Sequence, residues 1–311
     1  MELLSLEDGA RALTETAGVC LLADHAVLRV TGDDARSWLN GQITNDVGQV
    51  APGEATYALV VTLKGRVMTD LWALDRGEEG LDLVLPAARL ETVASYLDRF
   101  VIMEDVEMEP LQDVRVLSVQ GPAAARVMAQ VDGGPWWPCA RLTEGGGDRL
   151  VPADEAPELL AKVGDVARAQ GGGPVGEASW ELARLRTGIP RMGADFGEGT
   201  YPQEAGLKDR AVSFRKGCYQ GQEAVVMLEH RGKPPKKLAR LTVQADRPPD
   251  PGTPIHNGEG RPVGEVTSAV ADPDSPGRCP ALGYLKRSAP SESEGLHAGD
   301  APVVVRAILG G

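Results

Sequence analysis

The chain has 311 residues, enough for two domains and a small third. Apolar residues make up 42% and charged residues 25%, and 38 Gly with 23 Pro stay below low-complexity levels, which excludes global disorder and collagen. The net charge of −13 disfavours a general grip on nucleic-acid phosphates, and no apolar run reaches the length of a membrane helix.

The N-terminus, Met1 to Asp8, is acidic and lacks a basic n-region, so no signal peptide is expected. The four cysteines, Cys20, Cys139, Cys218 and Cys279, stand far apart with no C-x-x-C pair. That spacing excludes a zinc ribbon and a disulfide framework, and points to a reducing cytoplasm.

Residues 26–32 read as a strand ending at Gly32. Asp33-Asp34 then offers caps for a short helix carrying Trp38 and Leu39. The apolar runs 55–63 and 66–74, joined at Lys64-Gly65, predict a β-hairpin. A strand at 81–85 stops before Pro86, after which Leu90, Val93, Tyr96, Leu97, Phe100 and Val101 fall at helical spacing. Residues 115–121 read again as a strand ending at glycine, with Pro122 opening a helix to Met128. This echo of 26–40 fits a duplicated α+β half-domain and fits two unrelated units equally. Residues 132–148 read as loop. A helix follows with Leu159, Leu160, Val163 and Val166 on one face, then another over 177–187, stopped by Gly188-Ile189-Pro190. Residues 191–217 form a long polar loop. Beyond Pro234-Pro235, short strands at 238–243, 262–270, 281–286 and 302–309 predict a small β-barrel or sandwich. The expected domains are 1–234 and 235–311.

Gly171-x-Gly173-x-x-Gly176 matches a dinucleotide pattern formally. It follows a helix rather than a strand and contains Pro174, so a glycine-rich loop is expected. The sharpest motif is Lys216-Gly217-Cys218-Tyr219-Gln220-Gly221-Gln222-Glu223. Arg215 and Lys216 precede the thiol and a helix is expected from Gln222; cations and a helix N-terminus both favour thiolate. Cys218 is thus a candidate reactive thiolate or soft-metal ligand, or else a buried cysteine filling a tight turn. The basic run His230 to Lys237 could meet a polyglutamate tail, an RNA backbone or an acidic partner, or be a solvated linker. Trp180 could stack on a planar heterocycle or fill the core.

The octapeptide resembles the signature of the YgfZ family of folate-binding proteins, relatives of the glycine-cleavage T protein. The segments 28–47, 63–67, Gly188-Ile189-Pro190, Pro202-Gln203-Glu204 and the β-rich end are similar to the same family. The resemblance implies an α+β T-protein-like fold: two interleaved ferredoxin-like subdomains around a central channel, plus a C-terminal β-barrel. It implies tetrahydrofolate as cofactor, with Trp180, His25, Arg186, Gln203 and Glu204 at matching positions. It further implies a role in assembling or repairing iron–sulfur clusters in client enzymes, including tRNA-modifying ones, with iron–sulfur client or assembly proteins as partners. Cys218 would be the reactive group and Lys216 would lower its pKa. Gly217 and Gly221 would shape the turn around Tyr219, and Gln222 and Glu223 would anchor it.

Three positions depart from the pattern. Thr69 stands where the T protein carries the aspartate that serves aminomethyl transfer, with Asp70 facing the other side of the strand. Arg186 replaces a glutamate that pairs with the pterin, and a guanidinium cannot accept N–H donors. His25 replaces a tryptophan. A tetrahydrofolate-dependent one-carbon transferase and a non-enzymatic adaptor on the same fold are the alternative readings.

Overall fold

The computed structural model describes residues 2–142, 144–287, 289 and 295–310. They form two compact units, one of residues 1–180 and 210–222, the other of 181–209 and 223–311.

In the first unit the order is α1 (Leu6–Glu15), β1 (Gly18–Leu21), β2 (His25–Thr31), α2 (Ala35–Asn40), β3 (Ala55–Val61), β4 (Val67–Asp75), β5 (Leu81–Pro86), α3 (Leu90–Asp98), β6 (Glu107–Leu111), β7 (Val114–Gln120), α4 (Ala124–Met128), β8 (Gly146–Pro152), α5 (Ala156–Ala169) and β9 (Gly173–Pro174). The helix α6 (Glu177–Thr187) carries the chain out of this unit, and α7 (Lys208–Ala211) carries it back. Two sheets result, ordered β3-β4-β5-β2-β6 and β8-β7-β1-β9. The chain starts in the second sheet, builds the whole of the first, then returns, so the halves are interleaved. One face of the five-stranded sheet is apolar and buries Leu28, Val30, Ala58 and Leu71 against Trp38 and Leu39 of α2 and Val93 and Leu97 of α3. The four-stranded sheet packs Val19, Leu117 and Val119 on Val127 of α4 and Val163 of α5.

The two strand–glycine–helix units expected from sequence use one device. Gly32 (φ +110°) ends β2, and a Cβ there would lie 2.1 Å from the Asp105 carbonyl oxygen. Gly121 (φ +116°) ends β7, and its Cβ would lie 2.6 Å from the Thr16 carbonyl oxygen. Each sheet admits a neighbouring backbone only because the side chain is absent. The expected Asp34 cap is not made: its carboxylate accepts the Asp105 N–H at 2.9 Å instead, tying the returning chain to β2. The glycines at 171–176 form a loop that ends as the parallel edge strand β9 on β1.

The second unit begins within α6, takes in α8 (Gln222–Arg231) from Glu223, and ends in a closed barrel of β10 (Lys236–Val243), β11 (Pro254–His256), β12 (Pro262–Ala269), β13 (Cys279–Lys286), β14 (His297–Ala298) and β15 (Ala301–Ile308). It also claims 181–209 and 223–234, which the sequence reading assigns to the first domain. The reason is a set of polar ties. Arg184, only 1% exposed, reaches Asp195 at 2.7 Å and Ser268 at 3.0 Å, while Asp195 also accepts from Thr267 at 2.5 Å. The backbone N–H of Leu238 donates to the Glu204 carbonyl at 2.8 Å.

Candidate functional site

The octapeptide is fastened to the first unit at both ends. Lys216 is 9% exposed, and its ammonium donates to the carbonyls of Asn40 (2.5 Å), Ile43 (2.9 Å) and Asn45 (2.7 Å). These carbonyls lie at and just beyond the end of α2, where helix acceptors lack partners. Burial pushes the Lys216 pKa down to about 8. All three ammonium donors are thereby used, so Lys216 fastens the segment and has no N–H left to donate to Cys218. Its charge also lies 5.3 Å from the centre of the buried Tyr219 ring.

At the other end, Gly221 (φ +78°) rests on the β3–β4 hairpin tip. A Cβ there would lie 2.3 Å from the Thr62 carbonyl oxygen. Gln220 donates its backbone N–H to Gly41 O at 3.0 Å, and Gln222 donates to Tyr219 O at 3.2 Å. Among the described residues the Gln222 and Glu223 side chains make no hydrogen bond, so backbone groups anchor the turn. Between these fastenings Gly217 and Cys218 are exposed. Nothing lies within 4 Å of the place a Gly217 Cβ would occupy. Gly217 therefore answers no internal steric demand, unlike Gly221.

Cys218 is the exposed thiol among the four cysteines. Burial pushes Cys20 up to about 12 and raises Cys139 and Cys279 as well, with the Asp148 carboxylate adding to the shift at Cys20 and Cys139. Those three are held as neutral thiols. Among the described residues no group of three His, Cys, Asp or Glu side chains gathers to hold a metal ion.

A second polar constellation lies on the inner face of the five-stranded sheet, opposite α2 and α3. Thr69 is fully buried on the α2–α3 face. Asp70 points the other way, as alternation requires. It accepts the Tyr57 hydroxyl at 2.8 Å through one carboxylate oxygen; the other is buried without a partner among the described residues. Burial and the Asp70 charge hold the Tyr57 pKa well above its ordinary value, so the phenol stays a donor. The Arg210 guanidinium sits 5.0 Å over the Tyr57 ring and donates to Arg141 O at 3.1 Å. Arg141 binds buried Asp148 of β8 at 2.6 Å and lies 5.9 Å from the Trp72 ring centre. The sequence reading does not single out Tyr57, Arg210 or Arg141. The signal available was the period-2 pattern of β3 and β4, which sets Tyr57, Asp70 and Trp72 on one face.

The remaining expected residues fall in both units. Trp180, half-buried on α6, and His25, whose Nδ1 lies 2.8 Å from the Asp24 carboxylate, belong to the first unit. Arg186, Gln203 and Glu204 belong to the second. The Arg186 guanidinium is claimed by Asp272 and, at 3.0 Å, by Asp274. Glu204 is buried and accepts the Tyr201 N–H at 2.9 Å. Gln203 donates to Val225 O at 2.9 Å. No helix among the described residues is long and apolar enough to cross a membrane.

Residues 4–136 match the family model of the GCVT N-terminal domain. An aminomethyltransferase of Corynebacterium jeikeium is 26% identical, covering 96% of this chain and 86% of its own. The tRNA-modifying protein YgfZ of Yersinia pestis is 27% identical, over 80% of this chain and 79% of its own. The glycine cleavage system aminomethyltransferase T of Bartonella henselae has the same fold, with a TM-score of 0.82 at 21% identity over 98% of this chain and 89% of that one.

Proposed function

As the chain is a YgfZ/T-protein-like protein, we propose that it binds tetrahydrofolate and assists assembly or repair of iron–sulfur clusters in client enzymes of the cytoplasm, tRNA-modifying ones among them, through Cys218. The observation that carries this reading is the exposure of Cys218 on a segment locked at Lys216 and Gly221, while the other thiols are held neutral. The exposed Cys218 sulfur would donate an electron pair to an exposed iron of a client's cluster, the thiol proton passing to solvent as the S–Fe bond forms. In this reading Cys218 supplies one contact, and the client supplies the rest.

The residues present fit a pterin. A pterin edge offers N–H donors, and the unpartnered Asp70 oxygen is a buried acceptor. Tyr57 fixes the other Asp70 oxygen, and Arg210 packs the Tyr57 ring. Tetrahydrofolate, when bound, supplies a one-carbon acceptor. Asp70 would orient the heterocycle, and Trp180 offers a half-buried aromatic face.

The test is complementation of a bacterial strain lacking its YgfZ-family protein. Cys218→Ser is expected to fail and Asp70→Asn to complement partly, with tetrahydrofolate binding weakened in titration. Full complementation by Cys218→Ser would refute a chemical role for the thiol. A second reading, tetrahydrofolate-dependent one-carbon transfer, is favoured by Asp70, a carboxylate on the inner face where Thr69 alone would leave none. It requires turnover of an aminomethyl donor that Asp70→Asn abolishes and Cys218→Ser leaves intact.

A further inference from the structure

The second unit contains a pocket of ≈ 400 Å³ between α8, the segment 232–237, β13 and the end of β15. That volume suits one small ligand. Its lining is graded. At its inner end lie Gln203, 3% exposed, and Leu285, 4% exposed. Leu228, Pro234 and Ile308 add apolar wall. At its outer end stand Lys233, Lys237 and Arg287, whose charged groups have no partner among the described residues. Lys208 and Glu229 also line it, but they lie 3.0 Å apart and neutralise one another. Among the described residues, an acidic chain thus gathers three cations without an acidic partner at one mouth.

Gln203 supplies the second, independent sign of a ligand. Its amide nitrogen is committed to Val225 O, and its Oε1 is buried with no partner among the described residues. A buried acceptor left unpaired is costly, so a ligand that donates to it is favoured.

The occupant must satisfy three features together. It needs a multiply charged anionic group for the cations, an apolar or flat body for the walls, and an N–H donor at its far end. Inorganic phosphate leaves the walls and Gln203 unused. A fatty acid brings one charge and no donor. We propose that this pocket is a binding site for a 5′-mononucleotide bearing an exocyclic amine. The phosphate meets Lys233, Lys237 and the forked Arg287 donors. The base lies against Leu228 and Leu285, and its amine donates to Gln203 Oε1. The inference does not rest on the folate or iron–sulfur reading, since it uses neither Cys218 nor Asp70.

The test is calorimetric titration of the full chain with AMP, purine riboside 5′-monophosphate (which lacks the amine), adenosine and inorganic phosphate. AMP is expected to bind most tightly, more weakly as NaCl rises. Arg287→Glu, at an exposed position, and Lys237→Glu, at a half-buried one, are each expected to weaken AMP by about tenfold or more. Gln203→Met is expected to abolish the preference for AMP over the amine-free analogue; a melting curve for each variant shows that it is folded. The proposal is overturned if AMP gives no binding, if phosphate alone binds as tightly, if the charge reversals change nothing, or if only a whole tRNA binds.

Discussion

Cys218 and its two flanking glycines divide the roles that one motif combines. Under native conditions a thiol reagent should modify Cys218 alone, with Cys20, Cys139 and Cys279 reacting only on unfolding; mass mapping of a time course checks this. Gly221→Ala should destabilise the fold by about 1–3 kcal/mol, because φ +78° and the Thr62 carbonyl both reject a Cβ, whereas Gly217→Ala should leave the urea midpoint unchanged. If the Gly217 variant keeps its stability but loses complementation, that glycine serves what docks on the thiol. Sequence alone singled out the thiol because its glycine-flanked, cation-preceded setting is visible in a linear string. The fastening role of Lys216 is not legible in the motif, because the carbonyls that hold the ammonium come from residues 40–45, far away in the chain. Arg186 was unreadable for the same reason, its partners being Asp272 and Asp274.

At the scale of elements, regular apolar periodicity was legible and close packing was not. The hairpin, α3, α5, α6 and most barrel strands follow their patterns. The start of β8 reads as the end of a loop because it opens Gly146-Gly147-Asp148. Those glycines are there because a Cβ on Gly146 would lie 2.4 Å from Gln120 and one on Gly147 2.3 Å from the Met128 sulfur. The strand β6, with Glu107, Glu109 and Pro110, was hidden by its polar residues, which an edge position tolerates. The short β1, β11 and β14 give too few residues for a period. Within the second unit the buried Arg184–Asp195 pair joins α6 to β12. Asp195→Ala leaves Glu181 as the remaining carboxylate on Arg184 and strips the Thr267 and Ser268 hydroxyls of their acceptor, and should cost about 1–3 kcal/mol in urea unfolding, while exposed Asp8→Ala should cost little.

Over the whole molecule, the groups kept neutral by burial set the response to alkali. Cys20 and Tyr219 are each raised to about 12, from ordinary values of 9.0 and 10.0. The unfolded chain releases these protons first, so their contribution to stability is complete below pH 9 and is lost as the pH climbs towards 12. Lys216, lowered to about 8 from 10.5, acts oppositely over pH 8 to 10.5. The urea midpoint should therefore fall above pH 10.5, where only the acids still titrate, and Cys20→Ala should flatten that fall. A midpoint that stays level to pH 11 in the parent protein would contradict this.

The way the second unit is assembled has a consequence for how the protein is made. Its early segment, 181–209, is held by its last one: Glu204 O bonds Leu238, Leu238 O accepts the Leu309 N–H at 2.9 Å, and Gly206 lies where a Cβ would meet Leu309 at 2.4 Å. Residues 181–209 leave the ribosome about a hundred residues before the strand that completes their surroundings. They must wait, unpacked, until β15 has emerged. Loss of β15 would therefore leave 181–209 without its partner, and nascent chains arrested before β15 should be cut by protease within 181–209 while β2 to β5 are already resistant.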